Sequence, residues 1–102
     1  MKDCEIILLP AGEEKGHLIL SGRFTMVNAE EIKSKLVQMV PVFPTSLEVT
    51  VKDVTELDLS FLQLMKSFIC LLKTKNIIFN ICWRLDEDQL NLLDSTGFSK
   101  YL

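Results

Sequence analysis

The order in which strand-like and helix-like stretches follow one another is the tightest constraint on what this chain can fold into. Ile6-Ile7-Leu8-Leu9 is a short apolar run closed by Pro10, and His17-Leu18-Ile19-Leu20 is a second. Between them Ala11-Gly12-Glu13-Glu14-Lys15-Gly16 is polar and punctuated by glycine, so the pair reads as a β-hairpin, ended by Gly22. Ala29, Ile32, Leu36 and Met39 then recur at helical spacing, with Glu30, Lys33, Lys35 and Gln38 on the other side. Asn28 is placed to cap this helix, with Glu31 three residues on to reach back to the cap, and Pro41 and Pro44 stop it.

Leu47-Glu48-Val49-Thr50-Val51 alternates in polarity and is rich in β-branched residues, so it is a strand. A second helix follows from about Ser60 to Lys73, apolar over most of its circumference, with Ser60, Gln63, Ser67 and Thr74 as a narrow polar stripe. Ile69 and Leu72 are expected on its sheet-facing side. Ile77 to Trp83 is nearly unbroken in its apolarity, which predicts a central strand covered on both faces, with Trp83 in the core or at its rim. Asp86 is a good N-cap for a third helix, with Gln89 at the reciprocal position, Leu85 and Leu90 spaced as a hydrophobic staple, and Gly97 just past its end. A fifth strand could come only from Phe98 to Leu102, and none is assigned there. The fold class is therefore α/β: an N-terminal β-hairpin, then alternating strands and helices, giving a mixed sheet covered by helices in one domain over 1–102.

With 102 residues, 48% hydrophobic and 25% charged, the chain has enough apolar material for one core. Its net charge of −3 gives no reason to expect nucleic acid or an anionic membrane as a partner. The run Ile6 to Leu9 is too short for a secretory signal or a bilayer span, and Gln63, Lys66 and Lys73 break the apolar second helix, so no direct membrane insertion is expected. Cys4, Cys70 and Cys82 are odd in number and lack C-x-x-C spacing; Cys70 and Cys82 read as core filler, and a reducing, cytoplasmic setting fits.

Residues that would carry chemistry are sparse. The one histidine, His17, lies in a hairpin strand with no carboxylate or cysteine at ligand spacing, and reads as a surface or partly buried strand residue. Gly12, Gly16, Gly22 and Gly97 form neither a phosphate loop nor a dinucleotide fingerprint. Asp86, Glu87 and Asp88 suit the positive end of a helix dipole better than a metal. The expectation is a non-enzymatic protein with no cofactor and no metal site.

The unusual stretch runs from Val51 to Leu64. A strand ends in Asp53, a short loop follows, and Asp58 opens a very apolar helix. Asp53-Val54-Thr55-Glu56-Leu57-Asp58 resembles the strand-to-helix segment of the STAS (anti-sigma factor antagonist) family at the same spacing. Leu20-Ser21-Gly22-Arg23-Phe24 is similar to the family's segment before its first helix, and Leu92 through Phe98, with Ser95-Thr96-Gly97-Phe98, to its closing segment. The likeness spans nearly the whole chain. In phosphorylation-switched antagonists the residue after the second aspartate is the acceptor serine. Here it is Leu59, which has no hydroxyl, and Phe61 replaces the family glycine. The resemblance thus implies a variant of the non-phosphorylated type, closer in Asp58 to Leu64 to STAS domains of chemotaxis clusters and lipid-transport ATPases.

What the resemblance implies is a protein-protein interaction module docking through the loop and N-terminal turns of the second helix: Asp58, Leu59, Ser60, Phe61 and Leu62. Phe61 and Leu62 are read first as core residues and second as an exposed apolar docking point. Ser60 is read first as an N-cap or first-turn residue, second as a contact residue, and third as a candidate phosphorylation site. The partner implied is a regulatory protein, an anti-sigma or chemotaxis-type kinase. The alternatives are an accessory role on a lipid-transporter ATPase, or a small-ligand sensor with a pocket beside Asp58.

Overall fold

The computed structural model describes residues 4–10 and 15–95. Its elements follow as β1 (Cys4–Pro10), β2 (Lys15–Phe24), α1 (Met26–Met39), β3 (Ser46–Leu57), α2 (Leu59–Thr74), β4 (Ile78–Trp83) and α3 (Glu87–Ser95), with a 3-10 turn, Val40–Val42, after α1. The sheet order is β1-β2-β3-β4, with β1 antiparallel to β2 and β2, β3 and β4 parallel. The topology follows from the element order. A short connection can only reverse the chain, whereas a crossover helix returns it to start the next strand in the same direction.

One buried cluster joins sheet and helices. Leu18, Leu20 and Phe24 of β2, Leu47, Val49 and Val51 of β3, and Ile81 and Trp83 of β4 meet Ile32 and Leu36 of α1, six residues of α2, and Leu93 of α3. The α2 set, Phe61, Leu62, Met65, Phe68, Ile69 and Leu72, covers a broad face at helical spacing, with Ile69 and Leu72 on the sheet side as the sequence suggested. Burying each such side chain contributes about 1.5–3 kcal/mol of transfer free energy. Pro41 lies in the 3-10 turn that ends α1, since proline lacks the N–H to continue it. Asp86 and Gln89 form the expected reciprocal cap: the Gln89 N–H donates to Asp86 Oδ1 at 2.8 Å, and the Asp86 N–H to Gln89 Oε1 at 3.2 Å. Leu85 packs against the core, while Leu90 remains 40% exposed.

Several sequence expectations need correction. Gly22 does not end β2; the strand continues to Phe24 through an irregularity in which Gly22 adopts φ 114°. Asn28 does not cap α1. The cap is Thr25, whose side chain makes no capping bond, and Asn28 is buried one turn in, donating to the Arg23 carbonyl at 2.9 Å. The run 77–83 does not form a central strand: β4 is last in the sheet order among the described residues, and only one of its faces is buried. Ile78 is 71% exposed, and Asn80 and Cys82 share its open side. Cys82 is therefore exposed rather than core filler, and Cys70 of α2 is exposed as well, whereas Cys4 is buried. His17 is half-buried, its Nε2 2.7 Å from the Thr50 hydroxyl across the β2–β3 pair. Gly97 and Phe98 to Leu102 lie outside the described residues. No helix among those described is long and apolar enough to cross a membrane.

Candidate functional site

Because β2, β3 and β4 run parallel, all three helices begin at one edge of the sheet, beyond the carboxyl ends of the strands. Binding sites of open α/β sheets favour this edge. Its geometry here is set by a slip in the β2–β3 pairing. Ser21 faces Lys52, but beyond the irregularity at Gly22 Arg23 faces Glu56 and Phe24 faces Leu57. β3 takes up the additional residues, with Asp53 in a left-handed conformation at φ 49°. The two strands thus end side by side, and the chain enters α1 and α2 at adjacent points. The Asp58 N–H donates to the Phe24 carbonyl at 3.0 Å.

Asp58 uses this placement twice. Its Oδ1 accepts the Phe61 N–H at 3.2 Å, the ordinary N-cap bond of α2. Its Oδ2 accepts the N–H of Met26, the first residue of α1, at 2.8 Å. One carboxylate therefore satisfies an orphan donor on each of two helices, and its charge sits at the positive ends of both dipoles. The link also accounts for α1 starting at Thr25 without a side-chain cap of its own. Directly below, the Phe24 and Phe61 rings stack with centroids 4.3 Å apart and planes 16° from parallel. At the flanks, Arg23 pairs with Glu56 at 3.3 Å in the open, and Gln89 Nε2 donates to the Val54 carbonyl at 3.1 Å, tying the start of α3 to the β3 irregularity.

The five residues singled out from sequence separate into two groups. Asp58 is the α2 cap, Leu59 is 52% exposed, and Ser60 is half-buried in the first turn. Phe61 and Leu62 are 0% and 1% exposed. Core packing is thus the fate of Phe61 and Leu62, and the docking role implied for them is corrected: in the first turns of α2 the inward face begins immediately at Phe61, where Phe24 receives its ring. Ser60 is not the N-cap, because Asp58 takes that role.

Two residues missed in the sequence complete the exposed surface. Met26 and Val27 are 72% and 68% exposed, and the Asp58–Met26 hydrogen bond places them beside Leu59. The signal was present in that both are apolar yet precede the helical stripe of residues 29, 32, 36 and 39. Next to them, α1 and α2 enclose an open groove of about 510 Å³, into which Ser60 faces. Among the described residues no group of three His, Cys, Asp or Glu could hold a metal ion.

No protein-family model matches the chain, and no curated protein matches its sequence. Solved structures do match. An anti-sigma factor antagonist from Mycobacterium paratuberculosis is 18% identical, with a TM-score of 0.77 over 95% of this chain and 80% of that one. The Bacillus cell fate determinant SpoIIAA in its phosphorylated form is 13% identical, with a TM-score of 0.66 over 95% and 87% of the two chains. The anti-sigma factor antagonist SpoIIAA in its unphosphorylated form is also 13% identical, with a TM-score of 0.74 over 95% and 84%. The chain has the α/β fold of anti-sigma factor antagonists, the fold expected from its strand-to-helix motifs.

Proposed function

We propose that this protein is a non-enzymatic interaction module that regulates a partner by docking at the start of α2, and that the partner is a regulatory protein of the anti-sigma or chemotaxis-kinase kind. The observation that carries the reading is the cluster of exposed Met26, Val27 and Leu59 around the Asp58 carboxylate. Large aliphatic side chains at adjacent helix starts are costly to leave in water, and a partner covering them gains that transfer free energy. Asp58 holds the two first turns in fixed relation, so the surface is preorganised and little ordering entropy opposes docking. The fold shared with anti-sigma factor antagonists supports the partner class. The interface differs from the one expected from sequence in its apolar anchor, which is Leu59 with Met26 and Val27 instead of Phe61.

The test uses the full chain. Affinity capture from cell extract identifies the partner, and titration calorimetry then measures its binding to the parent, Leu59→Asp, Met26→Asp and, as a control on the solvent side of α1, Lys35→Glu. The expected outcome is at least a tenfold loss for the two apolar-to-charged variants, mainly through faster dissociation, with circular dichroism unchanged and the control bound like the parent. Parent-like binding by both Leu59→Asp and Met26→Asp would place the interface elsewhere. Capture of a transporter ATPase would change the partner class while leaving the surface open to the same test.

A further inference from the structure

The sheet face turned away from the helices is a surface that the docking site does not use. Alternation along each strand sends one set of side chains into the core and the other to this face. Strand pairing aligns that second set in rows. The middle row is Ile7, Ile19, Thr50 and Cys82, and next to it, toward the amino ends of the parallel strands, come Leu9, His17, Glu48 and Asn80. On the other side Glu5 and Ser21 align with Lys52, and Arg84 continues the row, its N–H bonded to the Val51 carbonyl at 2.8 Å. Ile7, Leu9 and Ile78 are exposed at the two flanks, and no helix among the described residues covers them. Thr50 at the centre is buried, with His17 Nε2 2.7 Å from its hydroxyl, so covering the face leaves that hydroxyl partnered.

We propose that this face binds a second copy of the chain, sheet on sheet, about a two-fold axis that runs parallel to the strands between β2 and β3. A second copy is singled out because the face complements itself under that operation. Rows stay level, β1 lies over β4 of the second copy, and β2 lies over its β3. Glu5 then meets Arg84 of the second copy, and His17 meets its Glu48. Leu9 falls between Ile78 and Asn80 of the second copy, and Ile7 falls on its Cys82. The alternative axis, across the strands, would set Leu9 on Glu5 and forfeit this match. Charge favours the same contact. The chain carries a net charge of −3, yet this face sets Lys15, Lys52 and Arg84 against Glu5 and Glu48, so two acidic molecules repel least here. With strands about 4.8 Å apart and about 3.3 Å per residue, the footprint is roughly 400 Å² per copy. A standard interface buries about 800 Å² per partner, so the dimer is weak and concentration-dependent. It does not depend on the docking reading, but it leaves both Asp58 surfaces open and, the axis being parallel to the strands, at the same end of the dimer.

Sedimentation of the full chain over a concentration series reaching the millimolar range tests this, with amide resonances followed over the same series. The expected result is a monomer–dimer equilibrium whose shifts map to Ile7, Ile19, Glu48 and Cys82 and spare Met26 and Leu59. Glu5→Arg and Arg84→Glu should each weaken the dimer by about tenfold or more, since each sets like charges together at two symmetry-related places. The two substitutions combined restore opposite charges across the axis and should recover the parent's association. In a Cys70→Ser background, Ile7→Cys should be joined to Cys82 of the second copy by a short bismaleimide, and adding Cys82→Ser should abolish the product. Melting curves check that each variant is folded. The proposal is overturned by a chain that stays monomeric throughout the series, by shifts that map away from this face, by a double charge variant no better than the singles, or by crosslinking that survives Cys82→Ser. A different protein captured on this face, with the chain alone monomeric, overturns it too. Leu59→Asp should leave the dimer unchanged, so loss of partner docking and loss of self-association are read separately.

Discussion

The carboxylate of Asp58 accepts the backbone N–H of Met26 at 2.8 Å, joining residues 32 positions apart in the chain. With its second oxygen on the Phe61 N–H, Asp58 fixes the first turns of α1 and α2 to one another. Each exposed apolar residue of the candidate surface lies within two positions of one of these bonds. The same side chain that starts a helix therefore sets the shape of the proposed docking surface.

That double role gives a first prediction. Replacing an N-cap residue by alanine costs about 0.5–2 kcal/mol, and Asp58→Ala leaves two helix donors without their acceptor, so a loss near 2 kcal/mol is expected. Asp58→Asn keeps one acceptor oxygen and should lose about half as much. Denaturant melts at constant m-value measure both. A loss below about half a kilocalorie for Asp58→Ala would mean that neither bond matters in solution.

Leu59 and Phe61 are close in sequence and opposite in environment, at 52% and 0% exposure. Phe61→Ala should destabilise the fold by about 3–5 kcal/mol, through lost burial and a cavity against Phe24. Leu59→Ala should change stability by no more than about 0.5 kcal/mol while weakening partner binding. Equal stability losses in the two variants would show that the inward face of α2 has been misassigned.

Phosphorylation of Ser60 is expected to be negligible. Ser60 is half-buried at the groove, whose lining also includes Glu30, and the neighbouring Phe61 N–H is already bonded to Asp58. A dianion placed there meets like charge and occupied donors. Incubation with the partner kinase and ATP followed by intact-mass measurement is decisive, and near-stoichiometric transfer to Ser60 would contradict it.

Gly22 holds φ 114° where the β2–β3 pairing slips. A side chain there is strained, and Gly22→Ala should cost about 1–3 kcal/mol. Because the slip is what brings Phe24 opposite Leu57, the substitution should also disturb the Asp58–Met26 link. Amide exchange at Met26 would then quicken more than exchange in the middle of α1. Uniform protection along α1 would show that the irregularity and the cap are independent.

Much of the fold was legible because its signals are local. The turn-bounded runs around 6–9 and 17–20, the stripe of Ala29, Ile32, Leu36 and Met39, the two prolines and the Asp86–Gln89 cap each act within a few residues, so their effects survive into the structure. Boundaries were misplaced where a long-range contact competed with a local one. Asn28 is a good cap by propensity, yet it is drawn inward by the Arg23 carbonyl, while the N–H of Met26 finds its acceptor on Asp58.

By itself the sequence determined the element order, the parallel crossovers, the apolar face of α2 and the position of Asp58 at its start. These depend on periodicity and on the chemistry of single residues. Only the tertiary structure decided that β4 is last in the sheet order among the described residues, that its face carrying Ile78 and Cys82 is left open, and that Phe61 turns inward while Met26 and Val27 turn outward. Those outcomes depend on which strand is last and on a two-residue slip in pairing. Neither leaves a mark in local patterning, because an apolar run reads the same whether one of its faces is covered or both.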